Sequence, residues 1–395
     1  MSAARAIGLM LGLAADGVLG NPRHRPPVTA FRRLVAPSAA GTGALAGHGA
    51  ESVAGSREVN RGAVGAPGES ARPSTGDSGT EAAFALATAA RAGGAPAGEP
   101  AAGLQVTGSV GGGSAAAWQA AVGGRGAPAV VTMSARTAAK GIGLAGAVVV
   151  VGLLAERAGR GRPLVQAVTT AVTTWAVVGA AGLATQGTEL ARDLEEGRLE
   201  PARATLSELD PRVADGLGMI ALSRAAVETL AENTSEVVVA PLLWGALAGV
   251  PGLVASRTIS VLARGSAGHW FVARLDELVH LVPTRIAAAL TVLAAPVVGG
   301  SAGGAWRAWR RDTIAHPSPN AGRVEAAFAG ALEIRVGGRT VYPHGVVELP
   351  VLGVGRNPDA GHVTRAVELS RVVGWLAGAT SVTAAVLLGA RRRRK

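Results

Sequence analysis

Apolar residues along this chain fall into long blocks, at 6–20, 137–155, 164–184, 237–262, 281–299 and 372–390. About 20 consecutive apolar residues cross the hydrocarbon core of a bilayer. The blocks therefore predict membrane-embedded helices. The block at 237–262 opens on a proline-containing turn, Ala240-Pro241, and its Pro and Gly content suits a kinked or re-entrant segment. Residues 185–236 mix apolar and charged positions and predict cytosolic helices, with Pro201 and Pro211 as breaks. Residues 300–371 form a polar stretch with Gly/Pro turns, and short strands are expected near Ile334–Val341.

Two further segments lack this pattern. Residues 21–35 are a Pro- and Arg-rich exit from the first block. Residues 36–135 are rich in Ala, Gly and Ser, include Gly111-Gly112-Gly113, and show no sustained apolar period. Such a stretch buries too little side chain to offset its ordering entropy, so a disordered insertion is expected. The chain thus divides into 1–35, a low-complexity insertion at 36–135, and a membrane-embedded core at 136–395. The predicted fold class is all-α: a polytopic membrane helical bundle with cytosolic helical loops and one long disordered insertion.

Composition strengthens the membrane reading. Charged residues make up 16% of the chain, hydrophobic residues 48%, and the mean hydropathy is +0.32. A soluble domain carries about 25% charged residues. The net charge is +11, almost all of it arginine, since Lys140 and Lys395 are the only lysines. Arginine-rich links at Arg32-Arg33, Arg307-Arg310-Arg311 and the RRRRK tail favour the cytoplasmic side. Strict alternation over six spans cannot place all of them there. One block is therefore expected not to cross, either 237–262 or the last. With one tyrosine and four phenylalanines the chain is poorly supplied with base-stacking platforms, and no nucleic-acid partner is expected. There is no cysteine, which removes disulfides, thiolate metal sites and cysteine nucleophiles. The N-terminal block is read as a retained helix, because Asp16 interrupts its apolar run.

Three stretches carry candidate chemistry. Arg224, Glu228, Glu232 and Glu236 recur at intervals of four and share one helix face. Carboxylates there can hold Mg²⁺ through oxygen or act as a general base; the plainer alternative is a solvated face with i,i+4 ion pairs. Asp276 and His280, in RLDELVH, are also four apart, so the acid can orient the imidazole; the alternative is an interfacial helix end. In His316-Pro317-Ser318-Pro319-Asn320 two prolines stiffen a turn that can hold His316 and Asn320 toward a ligand, or serve as an ordinary surface turn. Two patterns are discounted. Gly141-Ile142-Gly143-Leu144-Ala145-Gly146 fits GxGxxG, but no strand precedes it and no acid follows at the right interval. Close helix packing is the better reading, there and at Gly8 and Gly12. Neither lysine lies in a Walker A loop.

The run SRAAVETLAENTSEVVVAPLLWGALAGVPG, Ser223 to Gly252, resembles the hallmark RAAVESVAENTVDGVVAPLFWGALAGVPG of the CobD/CbiB family. GLAADGVLGNPRHRPPV, ARLDELVHLVPTRIAA, WRRDTIAHPSPNAGRVEAAFAGALEIRVGG and YPHGVVELPVLGVGRNPDAGHVTRAVELSRVV resemble further family segments in the family's order. The resemblance covers 6–35 and 140–390 and leaves 36–135 without a counterpart.

The resemblance implies a multi-pass enzyme of the bacterial inner membrane. It would join aminopropanol, or its phosphate, to the f propionate of adenosylcobyric acid, a step of cobalamin biosynthesis. ATP and Mg²⁺ are the implied helpers, since a free carboxylate does not condense with an amine unaided. The expected roles are Glu228, Glu232 and Asp276 in catalysis, with Glu228 and Glu232 also holding Mg²⁺. Arg224, Asn233, Glu277, His316, Ser318 and Asn320 would bind substrate. Other corrin-pathway enzymes are the implied partners, besides the bilayer. Several family residues are replaced: Asn21 and Pro26 stand for Asp and His, Ser260 and Ala263 for Asn and Asp, Glu236-Val237 for Asp-Gly, and His280 for Asn. These changes keep open a rival class, a non-catalytic corrin-binding scaffold or transporter, although no internal repeat of the transporter kind is present.

Overall fold

The computed structural model of the chain describes residues 2–20, 135–265, 270–343 and 345–393. The exit at 21–35, the insertion at 36–135 except for its last residue, and Gly268-His269 lie outside the described residues. The described chain is mostly helical: α1 (Ser2–Leu19), α2 (Ala135–Ala158), α3 (Pro163–Val177), α4 (Ala180–Glu195), α5 (Leu199–Leu209), α6 (Met219–Asn233), α7 (Ala240–Ala248), α8 (Val250–Gly265), α9 (Trp270–Ala294), α10 (Ala302–Asp312), α11 (Ala321–Leu332) and α12 (Ala360–Arg393). A π-helical turn, Thr234–Val239, joins α6 to α7. Three helical stretches are long and apolar enough to cross a membrane, Pro163–Glu195, Trp270–Val298 and Ala360–Arg391. Outward-facing Ile7, Leu11, Val151, Leu154, Leu164 and Val168 give α1, α2 and α3 greasy surfaces, as expected where lipid is the solvent.

The all-α expectation needs one correction. Strand β1 (Val336–Tyr342) pairs antiparallel with β2 (Gly345–Leu352), from Val336 opposite Leu352 to Tyr342 opposite Gly345, with an irregularity between Val336 and Gly338. Strands were expected near Ile334–Val341; the partner strand was not. Its sequence GVVELPVL alternates only partly, and Pro350 is tolerated because a two-stranded ribbon has open edges.

Several boundaries differ from the hydropathy blocks, each for a local reason. The block at 164–184 is broken at Val178-Gly179, where α3 ends and α4 begins. Asp16 of α1 caps the new start, its Oδ2 accepting the Ala181 N–H at 2.9 Å. Pro201 breaks nothing; it sits in the first turn of α5, where a missing N–H is harmless. Pro241 likewise lies inside continuous helix, and the widened π turn falls where its ring would crowd the Val237 carbonyl. The kink comes later, at Gly249, whose φ of 76° favours glycine. There Glu156 Oε2 accepts the Val250 N–H at 3.1 Å, while its Oε1 meets Arg5 at 2.5 Å and Gln166 at 3.1 Å. This buried polar latch ties α1, α2 and α3 to the α7–α8 corner.

Helix α9 starts eleven residues before the apolar block at 281 and carries Pro283 inside. An interior proline costs about 3 kcal/mol, partly by orphaning the carbonyl four residues back. That carbonyl, Val279 O, is instead satisfied by the indole N–H of Trp244 at 3.0 Å. Helix α12 starts at Ala360 because Asp359 Oδ1 accepts the His362 N–H at 3.1 Å as a cap. The glycine readings split. A Cβ on Gly8 would lie 2.6 Å from Thr170 Cβ, and one on Gly12 would strike Thr174, so both allow α1 to lie close on α3. A Cβ on Gly143 or Gly146 would meet nothing within 4 Å, so the packing expected of that motif is absent there.

Candidate functional site

Helix α6 is the axis of the site. Its residues Leu222 to Ala231 are almost wholly buried, apart from Arg224. The expected polar stripe is therefore an internal one, and its members have separate fates. Glu228 is 1% exposed. Its Oε2 accepts from Arg212 Nη1 at 2.6 Å, and its Oε1 accepts the Gly337 N–H of β1 at 2.6 Å. Arg212 also donates to Asp210 Oδ2 at 2.9 Å, and Thr229 Oγ1 donates to the same oxygen at 2.7 Å. Burial alone would raise the Asp210 carboxyl, but the Arg212 charge and these hydrogen bonds hold it below its ordinary value. Burial likewise works against the Arg212 charge, and Glu228 and Asp210 overcome it. Asp210, Arg212 and Glu228 thus form a satisfied ion triad that pins the loop after α5 and the hairpin onto α6.

Beside this brace lies a cavity of about 140 Å³. Glu232, Ser235 and Glu236 line it from α6 and the π turn, Ala263 from α8, and Asp276, Glu277, His280 and Thr284 from α9. Ser318, Asn320, Ala321 and Val324 close it from the proline-stiffened turn and α11. Glu277 pairs with Arg274 at 2.8 Å. Asn320 Nδ2 donates to the Glu277 backbone carbonyl at 2.9 Å, fastening the turn to α9. Ser318 Oγ accepts the Ala321 N–H at 3.1 Å and so caps α11. His280 Nδ1 is 2.9 Å from the Asp276 backbone carbonyl and 3.1 Å from Asp276 Oδ1. Its N–H is aimed at the carbonyl, which leaves Oδ1 without a well-aligned donor. On its other side His280 Nε2 meets Ser260 Oγ at 3.1 Å.

Behind the cavity Glu232 and Glu325 of α11 face one another. Burial, and then each other's charge or that of Glu228, push both carboxyls upward, so that the two share a proton and a hydrogen bond. Burial lowers His316, so its imidazole is neutral at pH 7. His316 Nδ1 lies 3.1 Å from the Ser318 N–H and 3.2 Å from the Ser318 carbonyl, and Nε2 stands 3.6 Å from Glu325 Oε2.

The carboxyl pair makes a testable contribution to stability. Its folded-state affinity for a proton exceeds the unfolded one, so the native state binds the extra proton between the ordinary carboxylate range and neutrality. Stability contributed by the pair is present at low pH and declines as pH rises through that window. Glu325→Gln keeps a hydrogen-bond partner for Glu232 and removes the shared titration. Thermal unfolding followed from pH 5 to 7.5 should show a flatter profile in the variant than in wild type; parallel profiles would refute the shared proton.

Of the residues singled out in the sequence, Glu232, Asp276, Glu277, Ser318 and Asn320 meet at the cavity, with His316 directly behind. Three do not reach it. Glu228 belongs to the brace. Asn233 bridges Arg264 Nη1 at 3.2 Å and the Leu209 carbonyl at 3.4 Å. Arg224 donates to the Arg339 carbonyl of β1 at 3.0 Å. The expected Mg²⁺ pair Glu228/Glu232 does not fit the ion, because both Glu228 oxygens are taken. Among the described residues no group of three or more His, Asp or Glu side chains is arranged to hold a metal. Sequence reasoning missed Asp210, Arg212 and Glu325. Glu325 did leave a signal, as the one acid within the apolar run VEAAFAGAL.

A helical membrane protein with three long apolar helical stretches, one of which lines an acid-rich cavity, is the class these features define. The comparisons then place the chain within it. The family model described as "CobD/Cbib protein" matches residues 110–370, and the chain belongs to that family. Cobalamin biosynthesis protein CobD of Mycobacterium tuberculosis is 48% identical over 232 residues, 57% of this chain and 73% of that protein. The CobD proteins of Geobacter metallireducens and Chromobacterium violaceum are 39% and 35% identical, covering 48% and 58% of this chain and 63% and 74% of theirs. No solved structure matches. The family and these relatives support a role in cobalamin biosynthesis.

Proposed function

We propose that this protein forms the amide between aminopropanol, or its phosphate, and the f propionate of adenosylcobyric acid, at the bacterial inner membrane. One observation carries the reading. Buried polar atoms are nearly always hydrogen-bonded. Here Asn320 Oδ1 and Asp276 Oδ1 line one cavity with no well-aligned donor, although His280 Nδ1 pairs with the Asp276 oxygen from 3.1 Å. Acceptors with room for a further donor suit a ligand that brings N–H groups, as a primary ammonium does. A volume of about 140 Å³ suits a small amine and excludes a corrin, so the corrin presents its propionate from outside.

In this scheme the ammonium docks with N–H groups toward Asp276 and Asn320. Asp276 takes one proton and frees the nitrogen lone pair. The lone pair attacks the activated propionate carbon, the C–N bond forms as the activating group departs with its electron pair, and a second proton leaves the nitrogen. Glu236, also on the wall, is placed to accept it. Activation of the carboxylate is the chemistry that ATP and Mg²⁺ would supply. Membranes containing the protein, given adenosylcobyric acid, Mg-ATP and either amine, should yield the amide by mass spectrometry. Absence of product with both amines, while the corrin still binds, would remove the assignment.

A further inference from the structure

A second recess lies on the neighbouring face of α9 and α11. Its volume is about 420 Å³, and it is lined by Arg285 of α9, Trp306, Trp309 and Arg310 of α10, and Arg323 of α11. The Arg310 guanidinium stands 5.4 Å from the centroid of the Trp306 ring, and the two indoles meet edge to face at 5.3 Å. Arg323 spends its Nε on the Pro319 carbonyl at 2.9 Å, and Arg285 uses Nη1 on the Leu281 carbonyl. Among the described residues no carboxylate pairs with Arg285, Arg310 or Arg323. The acid at the end of α10, Asp312, is already held by Arg311 and by the Gly353 N–H. Burial and the Arg285 charge together weaken the hold of Arg323 on its proton.

Three guanidiniums gathered around one recess repel one another unless an anion sits between them. Their planar forks match the oxygens of a phosphate, and indole rings suit a cation or a flat ring beside it. A carboxylate ligand would satisfy one fork; a phosphate has oxygens enough for three. We propose that this groove binds a phosphate group through Arg285, Arg310 and Arg323, at a site separate from the acceptor-rich cavity. Two sources carry that chemistry: a soluble nucleoside triphosphate, or the headgroup of an anionic phospholipid, since α10 directly follows the apolar stretch Trp270–Val298. The inference does not depend on the amide reading, and it holds if that reading fails.

The test uses the full chain in nanodiscs. In phosphatidylcholine discs, a non-hydrolysable ATP analogue is titrated while indole emission and heat are recorded. In a parallel arm, discs containing phosphatidylglycerol are used and lipid retained on the released protein is measured by native mass spectrometry. Saturable binding in the first arm assigns a soluble phosphate; retention of phosphatidylglycerol over phosphatidylcholine, with no analogue binding, assigns a lipid. In either case the double variant Arg285→Gln/Arg323→Gln should weaken binding at least tenfold. Arg310 is exposed, so Arg310→Gln provides a variant that leaves the fold alone and should weaken binding several-fold. The proposal is overturned if neither ligand binds, or if both variants bind as wild type does.

Discussion

Glu228→Ala is expected to lower unfolding stability by about 2–5 kcal/mol and to deplete the protein from the membrane fraction. The size follows from what the substitution leaves behind. Arg212 has side-chain exposure of 5% and loses one of its two carboxylate partners, 2.6 Å away. The Gly337 N–H of β1 loses its acceptor as well. Water cannot replace these partners where the surroundings are closed, so Arg212 keeps only Asp210, and its Nη1 and the Gly337 N–H are left as buried donors without an acceptor. Glu228→Gln retains an oxygen for Gly337 and should unfold between the alanine variant and wild type. Both are read by thermal unfolding in detergent, followed by helical circular dichroism. If Glu228→Ala melts with wild type while product formation vanishes, Glu228 acts on substrate rather than as a brace.

That reassignment shows what a linear pattern can and cannot carry. Intervals of four put Arg224, Glu228, Glu232 and Glu236 on one face, and they do share a side of α6 and its π turn. The interval says nothing about what faces them. Arg212 lies sixteen residues before Glu228, and Gly337 lies more than a hundred residues after it; only tertiary folding brings them together. Glu232, four residues on, escapes the triad and turns to Glu325 and the cavity. Apolar blocks located helices well and their ends poorly. Both α9 and α12 open on turns outside the apolar blocks; Trp244 holds α9 further along at the Val279 carbonyl, and α12 starts on its local Asp359 cap, so hydropathy starts both about eleven residues late.

The residues at which this chain departs from the family pattern are also informative in space. Glu236, Ala263 and His280 line the one cavity, and Ser260 touches His280 at 3.1 Å. Four of the replaced positions thus gather around this cavity, whereas Asn21 and Pro26 lie outside the described residues. Glu236 keeps an acid where the pattern has Asp, and Ala263 removes one on the facing helix. The wall retains Glu232, Glu236, Asp276 and Glu277, so its negative character survives the exchange.

Asp276→Asn is the change expected to hurt catalysis most with the fold intact, by about two to four orders of magnitude in kcat. The side chain is isosteric and 23% exposed, and it takes no part in the Asp210–Arg212–Glu228 brace. What it loses is a carboxylate oxygen on the cavity wall whose one close protein neighbour is His280 Nδ1, at 3.1 Å. An amide in that position cannot take a proton from an ammonium, and one of its two rotamers puts NH₂ where an acceptor is needed. KM for the amine should rise as well, because a neutral group attracts the ammonium less. Raising the pH should partly restore the rate, since the fraction of free amine in solution grows and the missing base matters less. Rates across pH 7 to 10 with saturating corrin test each of these points. A variant with wild-type kcat and wild-type amine KM would take Asp276 out of the reaction, and the acceptor-rich cavity would then have to bind something other than the attacking nitrogen.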